Sequence, residues 1–163
     1  YVRAEHASLP PHASDMLTTR PGNWWCGDLH PTRFSALSAA PVYDREGQVI
    51  FYAPVTSGSK HDPLPLGNWV ITDVVRNPTY NYNPDLFWDA DSANAKVKIA
   101  PGPNNPVGVV WMGVNVPHYG IHGTPEAGEV GHSASHGCVR MTNWDATRVA
   151  DLVKDGTPVV FEE

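Results

Sequence analysis

Ile121-His122-Gly123-Thr124 and Ser133-Ala134-Ser135-His136-Gly137-Cys138-Val139-Arg140-Met141 are two neighbouring stretches that hold the most distinctive chemistry of this chain. Together with the residues between them, they include three histidines, a cysteine and an arginine. A cysteine attacks as its thiolate, and a nearby imidazole can accept the thiol proton or hold it in an ion pair. The two stretches therefore predict a nucleophilic cysteine at Cys138.

The spacing of the histidines distinguishes their predicted roles. His136 lies two positions before Cys138, and alternate side chains of an extended chain run parallel rather than converge. His122 lies further upstream and can approach the cysteine across a pair of strands. Gly137 lets backbone N–H groups come close to a developing oxyanion. The guanidinium of Arg140 suits a substrate carboxylate.

Two other interpretations of these residues have less support. An isolated cysteine is usually a small buried hydrophobe, but Ser-His-Gly before Cys138 and Val-Arg after it favour a reactive thiol. Several side chains could hold zinc, namely those of His118, His122, His132, His136 and Cys138. Their spacing matches no common zinc signature. We therefore expect no metal and no cofactor, with His118 and His132 as loop residues.

The rest of the chain predicts a mostly β fold. Its 14 glycines and 16 prolines indicate many turns. Runs at residues 35–43 and 48–56 flank Asp44-Arg45-Glu46-Gly47, a predicted hairpin loop. Residues 69–75 and 107–116 are further β-rich runs. Between them, residues 77–105 form a proline-rich excursion, and long excursions on compact domains are often functional.

One helix is predicted after the cysteine stretch. Four apolar residues share one helical face, at positions i, i+3, i+4 and i+7: Ala146, Val149, Ala150 and Val153. Thr142 or Asn143 can cap the start of this helix, and Gly156 marks its end. Residues 157–161 then form a closing strand. We also expect Trp111 and Trp144 to pack in the core.

Residues 1–33 are expected to form an irregular arm on a single domain of residues 34–163. Pro10-Pro11 and Pro21-Gly22 interrupt any regular period there. Cys26 lies in this arm, and we expect no disulfide between it and Cys138, because a disulfide would consume the nucleophile.

The two stretches closely resemble the signature of the L,D-transpeptidase catalytic domain family. The resemblance extends over residues 42–161, and five further blocks match in order: Thr56-Ser57-Gly58, Pro65-Leu66-Gly67, Asn77-Pro78-Thr79, Pro101-Gly102-Pro103-Asn104-Asn105-Pro106 and Asp155-Gly156-Thr157-Pro158-Val159. It implies a β-sandwich with one helix in its C-terminal region and the active site at one end.

The resemblance also implies residue roles. Cys138 would be the nucleophile and His122 its proton partner, with the carbonyl of Gly123 orienting the imidazole. His136 and Gly137 would line the oxyanion side. Ser135 would support the loop that carries the nucleophile. Arg140 would position the donor stem. From its place beside the motif, we expect Tyr119 to form a wall of the cleft.

The implied reaction acts on peptidoglycan tetrapeptide stems. Cysteine attacks the carbonyl of the third residue and releases the terminal D-alanine; an amine of a neighbouring stem, an envelope lipoprotein or water then takes the acyl group. Such an enzyme works in the periplasm or another extracytoplasmic part of the envelope, and carbapenems would acylate it.

Charge and hydropathy exclude other classes. With 11 basic against 17 acidic residues, the chain lacks the basic surface of a general nucleic-acid binder. No apolar run is long enough to span a membrane. The first residues lack the apolar core of a secretory signal, but those of a mature exported protein would lack it too.

Two rival functions fit the motif less well. Other cysteine hydrolases, such as papain-like enzymes or cell-wall endopeptidases, usually place the cysteine before the histidine, which is the reverse of the order here. A non-catalytic envelope-binding domain of the same fold would have no need of an intact Cys138, His122 and Arg140.

Overall fold

The computed structural model describes residues 32–35, 39–87, 89–91, 95–132 and 134–162. Cys26 and most of the predicted arm lie outside the described residues. The predicted boundary at residue 33 falls inside a strand, because Thr32 and Arg33 belong to the sheet.

The described strands are β1 (Thr32–Ser35), β2 (Ala39–Tyr43), β3 (Val49–Pro54), β4 (Thr56–Ser57), β5 (Gly67–Arg76), β6 (Tyr80–Tyr82), β7 (Val97–Ile99), β8 (Val110–Val114), β9 (Gly120–Thr124), β10 (Val139–Thr142) and β11 (Pro158–Glu162). The α-helix is α1 (Asn143–Leu152), and single 3₁₀ turns occupy Pro84–Leu86 and Ala127–Glu129.

Nine of these strands form one bent sheet in the order β3-β2-β1-β11-β5-β8-β9-β10-β4. The long strand β5 joins its two halves, because the first part of β5 pairs with β11 and the second part with β8. A register shift between Ile71 and Asp73 falls at this junction, and irregularities of this kind bend a strand and increase its twist.

Both halves of the sheet contribute to one hydrophobic core. Ala40 and Ala53 come from one half, and Met112, Ile121 and Met141 come from the other. All five are fully buried. Removing this much apolar surface from water is the main favourable term in folding such a domain. The mostly β, sandwich-like fold that the sequence predicts is confirmed.

The predicted hairpin and helix are both present. Asp44 Oδ1 accepts hydrogen bonds from the backbone N–H groups of Glu46 (3.0 Å) and Gln48 (2.8 Å), which closes the turn between β2 and β3. Helix α1 is capped by Thr142, whose Oγ1 accepts from the N–H of Asp145 at 3.0 Å. The apolar face of α1 covers β8, β9 and β10.

Two predicted boundaries and one predicted core position differ from the structure. The run at residues 35–43 includes parts of two antiparallel strands, because Ser35 of β1 pairs with Ala39 of β2. Strand β8 begins only at Val110, since residues 107–109 lie in a turn in which Gly108 has φ +64°. Trp144 is not in the core: it is 67% exposed, and its ring lies 6.2 Å from that of Phe51.

The proline-rich excursion is an ordered appendage in its described part. β6 and β7 pair as a small separate sheet. The buried side chain of Asn105 joins the two ends of the excursion, because its Nδ2 donates to the carbonyls of Pro78 (3.3 Å) and Ala100 (3.0 Å). This anchoring fixes the position from which the excursion extends toward the site.

Candidate active site

Three adjacent strands place the predicted site residues in one row across the sheet. Trp111 of β8 lies opposite His122 of β9, which in turn lies opposite Arg140 of β10. Directly paired residues project from the same face of a pleated sheet, while their sequence neighbours project from the other. Accordingly Ile121 and Val139, which alternate with them, are fully buried in the core. The pleat thus separates the face that carries the site from the face that carries the core.

Cys138 immediately precedes β10, on the same face as Arg140. Because Val139 pairs with Ile121, Cys138 lies beside Gly120 at the start of β9. Its Sγ donates a weak hydrogen bond to the carbonyl of His118 at 3.6 Å. Burial raises the pKa of the Cys138 thiol to about 11, although a backbone hydrogen bond with Gly120 and the positive charge of Arg140 both lower it. The resting thiol is therefore protonated at neutral pH.

His122 is buried and held in one orientation. Its Nδ1 lies 2.6 Å from the carbonyl oxygen of Gly123. A carbonyl oxygen can only accept, so Nδ1 carries the proton and Nε2 of the neutral ring keeps its lone pair. The ring also stacks on Trp111 at 5.6 Å. Burial lowers the pKa of His122 to about 4, despite its hydrogen bond with Gly123, so the imidazole is neutral at neutral pH.

The loop before Cys138 is fixed by three of the predicted site residues. Ser135 Oγ donates to the carbonyl of Cys138 at 2.5 Å, and the N–H of Ser135 donates to the carbonyl of Gly58 at 3.0 Å. Gly137 has φ +95°, and a Cβ there would lie 2.5 Å from the ring of Tyr119. Tyr119 therefore packs directly on Gly137, at the side of the loop.

Arg140 is engaged with the same loop. Its guanidinium donates a short hydrogen bond to the carbonyl of Ala134. Arg140 and Ala134 also line an open recess of about 510 Å³, together with Gly128 and the two acidic residues Glu126 and Glu129. Arg140 thus both hydrogen-bonds to the loop and lines the recess. The sequence predicted only that Arg140 would contact the substrate.

Thr56 is a site-supporting residue that the sequence reasoning did not single out, although it begins one of the matching blocks. Its Oγ1 donates to the carbonyl of Glu129 at 3.1 Å and accepts from the N–H of Gly131 at 2.8 Å. Thr56 also pairs with Arg140 across the edge of the sheet. It therefore holds the turn that borders the recess.

His136 makes contacts on the side of the excursion. Its Nε2 lies 2.9 Å from Asp89 Oδ1, and its ring meets the edge of Phe87 at a centroid distance of 5.1 Å. His136 therefore contacts the excursion, whereas His122 contacts Gly123 and Trp111. No sequence pattern indicated Asp89 as a partner, because 47 positions separate the two residues.

Tyr80, in β6, is a second residue that the sequence reasoning missed. It is half-buried, and its pKa is raised first by burial and then by the negative charge of the nearby Cys138 thiolate. Tyr80 of the excursion therefore lies close enough to Cys138 for the two groups to interact electrostatically. The only signal in the sequence was the length of the excursion.

Within the described ranges, no group of three or more His, Cys, Asp or Glu side chains could hold a metal ion. Over the same residues, the structure contains no helix of sufficient length and apolarity to cross a bilayer.

Comparisons with known proteins extend these observations. The family model described as the L,D-transpeptidase catalytic domain, YkuD, matches residues 36–161. The YkuD protein of Bacillus licheniformis is 42% identical over 59 residues, which are 36% of this chain and 36% of that protein. The YqjB protein of Bacillus subtilis is 30% identical over 115 residues, 67% of this chain and 57% of that protein. The matches thus span only about a third to just over half of these relatives.

Solved structures show the same fold. An L,D-transpeptidase from Mycobacterium smegmatis superposes with a TM-score of 0.65 at 18% identity, covering 84% of this chain and 60% of that one. The L,D-transpeptidase LdtMt1 in complex with imipenem gives a TM-score of 0.65 at 19% identity, covering 83% and 59%.

The fold and the site define a β-rich domain that presents a cysteine thiol and a buried, neutral histidine on the same face of one sheet. With a family model that covers most of its length, the chain belongs to the YkuD family of L,D-transpeptidase catalytic domains.

Proposed function

We propose that this chain is a cysteine L,D-transpeptidase that acts on peptidoglycan tetrapeptide stems through a thioester at Cys138. The observation that carries the proposal is the neutral His122, with its Nδ1 bound to Gly123 and its Nε2 lone pair available, on the strand next to Cys138. Membership of the family supplies the reaction class.

In the first half-reaction, Cys138 Sγ attacks the carbonyl carbon of the third stem residue while His122 Nε2 takes the thiol proton. The C–N bond to D-alanine then breaks, and the imidazolium returns its proton to the leaving amine. A thioester and free D-alanine result. The high pKa of the thiol and the low pKa of the imidazole support a proton transfer coupled to attack.

The oxyanion that develops during attack is stabilised by the loop of His136 and Gly137. The left-handed backbone of Gly137 and the hydrogen bonds of Ser135 support this role, because they fix the loop before the substrate arrives. Preorganised donors of this kind typically lower a barrier by ~3–4 kcal/mol each.

In the second half-reaction, an acceptor amine attacks the thioester carbonyl and loses a proton to His122. The C–S bond then breaks, and the imidazolium returns the proton to Sγ of Cys138. The acceptor is a neighbouring stem, an envelope lipoprotein or, in a hydrolytic side reaction, water. Arg140 positions the donor stem, and Tyr119 forms a wall of the cleft. These reactions place the enzyme in the periplasm or another extracytoplasmic part of the envelope.

The direct test is incubation of the protein with a purified tetrapeptide stem, followed by product masses. We expect loss of one D-alanine and formation of a cross-linked or hydrolysed product. Cys138→Ala should fold as the parent does, by circular dichroism, and give neither product. If the variant turned over the stem at the parent rate, the mechanism would be wrong; a parent that bound stems without converting them would instead support a non-catalytic envelope-binding domain.

A further inference from the structure

We propose that Asp89 is a positioning residue for donor binding: through the imidazole of His136, it holds an aromatic flap against the loop that presents Cys138. The flap is defined here as residues 80–87 and 89. This inference rests on the proposed function, because it concerns the donor side of that same site.

Contacts in series connect the flap to the loop. Asp89 Oδ1 and His136 Nε2 are 2.9 Å apart, an ion pair when the imidazole is protonated. Phe87 meets the same imidazole edge-on, with ring planes at 87°. Tyr82 stacks on Phe87 at 5.8 Å with an interplanar angle of 16°. A carboxylate and an aromatic ring thus fix the imidazole together, and this geometry restricts its rotamer.

The position of His136 makes these contacts relevant to catalysis. Only Gly137 separates it from Cys138, so its backbone is part of the loop that presents the nucleophile. At the other end of the flap, Tyr80 is close enough to Cys138 to sense the charge of the thiolate. One end of the flap is therefore within electrostatic range of Cys138, and the other end contacts the loop through His136.

The chemistry of the flap suits a peptide stem. The side chains of Tyr80, Tyr82 and Phe87 offer aromatic surface against which alkyl side chains and the peptide backbone can pack. The contact between Asp89 and His136 is weak, because their side chains are 46% and 42% exposed. Exposed ion pairs of this kind change an equilibrium by about two- to fivefold. The flap can therefore open for entry of the donor and for release of the product.

The experiment compares Asp89→Asn with the parent. Asparagine keeps the size of the side chain and removes its charge. We expect the KM for the tetrapeptide donor to rise about two- to fivefold with little change in kcat. Alkylation of Cys138 by iodoacetamide, which is too small to need the flap, should be no slower than in the parent. Asp89→Glu should recover part of the donor KM.

The matched control is Asp85→Asn, which removes a carboxylate from the same flap. Asp85 pairs with Lys96 at 2.9 Å, so this pair lies within the excursion and does not reach the loop. The control should raise the donor KM less than Asp89→Asn does. In the background of His136→Asn, the change at Asp89 should have no further effect, because both substitutions break the same contact.

Three results would overturn the inference: an unchanged donor KM in Asp89→Asn, an equal rise in Asp85→Asn, or full additivity with His136→Asn. Phe87→Ala provides a second measurement, and it should raise the donor KM more than Asp89→Asn does. A parent protein that converts no stem would refute the proposed function itself. A parent that converts stems while Asp89→Asn behaves identically would refute only the role of Asp89.

Discussion

At the scale of single residues, burial sets the protonation state of the site. It raises the pKa of Cys138 to about 11 and lowers the pKa of His122 to about 4. Over the wide range between these values, the thiol and the imidazole are both neutral. A preformed thiolate–imidazolium pair would require the opposite shifts. These protonation states favour the proposed mechanism, in which His122 acts as a general base toward Cys138 when the substrate arrives.

This protonation state predicts how Cys138 responds to pH. Because thiolate is lost as pH falls below the raised pKa, alkylation of the free protein by iodoacetamide should accelerate continuously from neutral pH toward about pH 11. His122→Ala should reduce turnover of the stem by ~10²–10⁴-fold, the usual cost of losing a general base. It should leave the alkylation profile nearly in place, since burial rather than His122 sets the thiol pKa.

His132→Ala is the matched control, because His132 is an exposed histidine in the neighbouring loop. It should alter neither turnover nor alkylation. The general-base account would be contradicted by an alkylation rate that is already maximal near neutral pH in the parent and falls in His122→Ala. That result would indicate an ion pair.

At the scale of elements, the junction between β9 and α1 positions His122. A Cβ at Gly123 would lie 2.3 Å from Oδ1 of Asn143, the first residue of α1. The same Oδ1 accepts a hydrogen bond from the N–H of Val109 at 3.0 Å, so it is not free to move. Gly123 thus allows the helix to begin directly against the strand whose carbonyl orients the imidazole.

We predict that Gly123→Ala lowers the free energy of unfolding by ~1–3 kcal/mol, the usual cost of overpacking. It should also lower turnover, because displacement of this strand changes the carbonyl that holds His122. Urea denaturation and stem turnover provide the two measurements. Gly128→Ala is the control: a Cβ there meets nothing within 4 Å, so stability should change by less than ~0.5 kcal/mol. Equal stability of the two variants would refute the packing argument.

Local periodicity explains which elements could be predicted. The helix could be predicted because its apolar face and its cap at Thr142 lie within one short stretch of the sequence. The turn at Asp44 was predictable for the same reason. The division of residues 32–43 into two strands was not, because the pairing of β1 with β11 brings together segments from opposite ends of the described chain.

At the scale of the whole molecule, the site is where three distant parts of the chain meet. The sheet brings His122 and Cys138 onto one face, the edge strand β4 supplies Thr56, and the excursion brings Tyr80 and Asp89. The sequence motif predicted the first pair, since its chemistry and its spacing lie within one short stretch of the chain. The residues from the excursion and the edge strand could not be predicted, because their contacts depend on tertiary packing.

The most direct test of the central claim, a cysteine acyl-enzyme at Cys138, is intact-protein mass spectrometry after incubation with imipenem. The β-lactam carbonyl stands in for the scissile stem amide. One covalent adduct should form per chain, on the peptide that contains Cys138, and Cys138→Ala should remain unmodified. No adduct on the parent protein, or an adduct carried by Cys26 instead, would contradict the account.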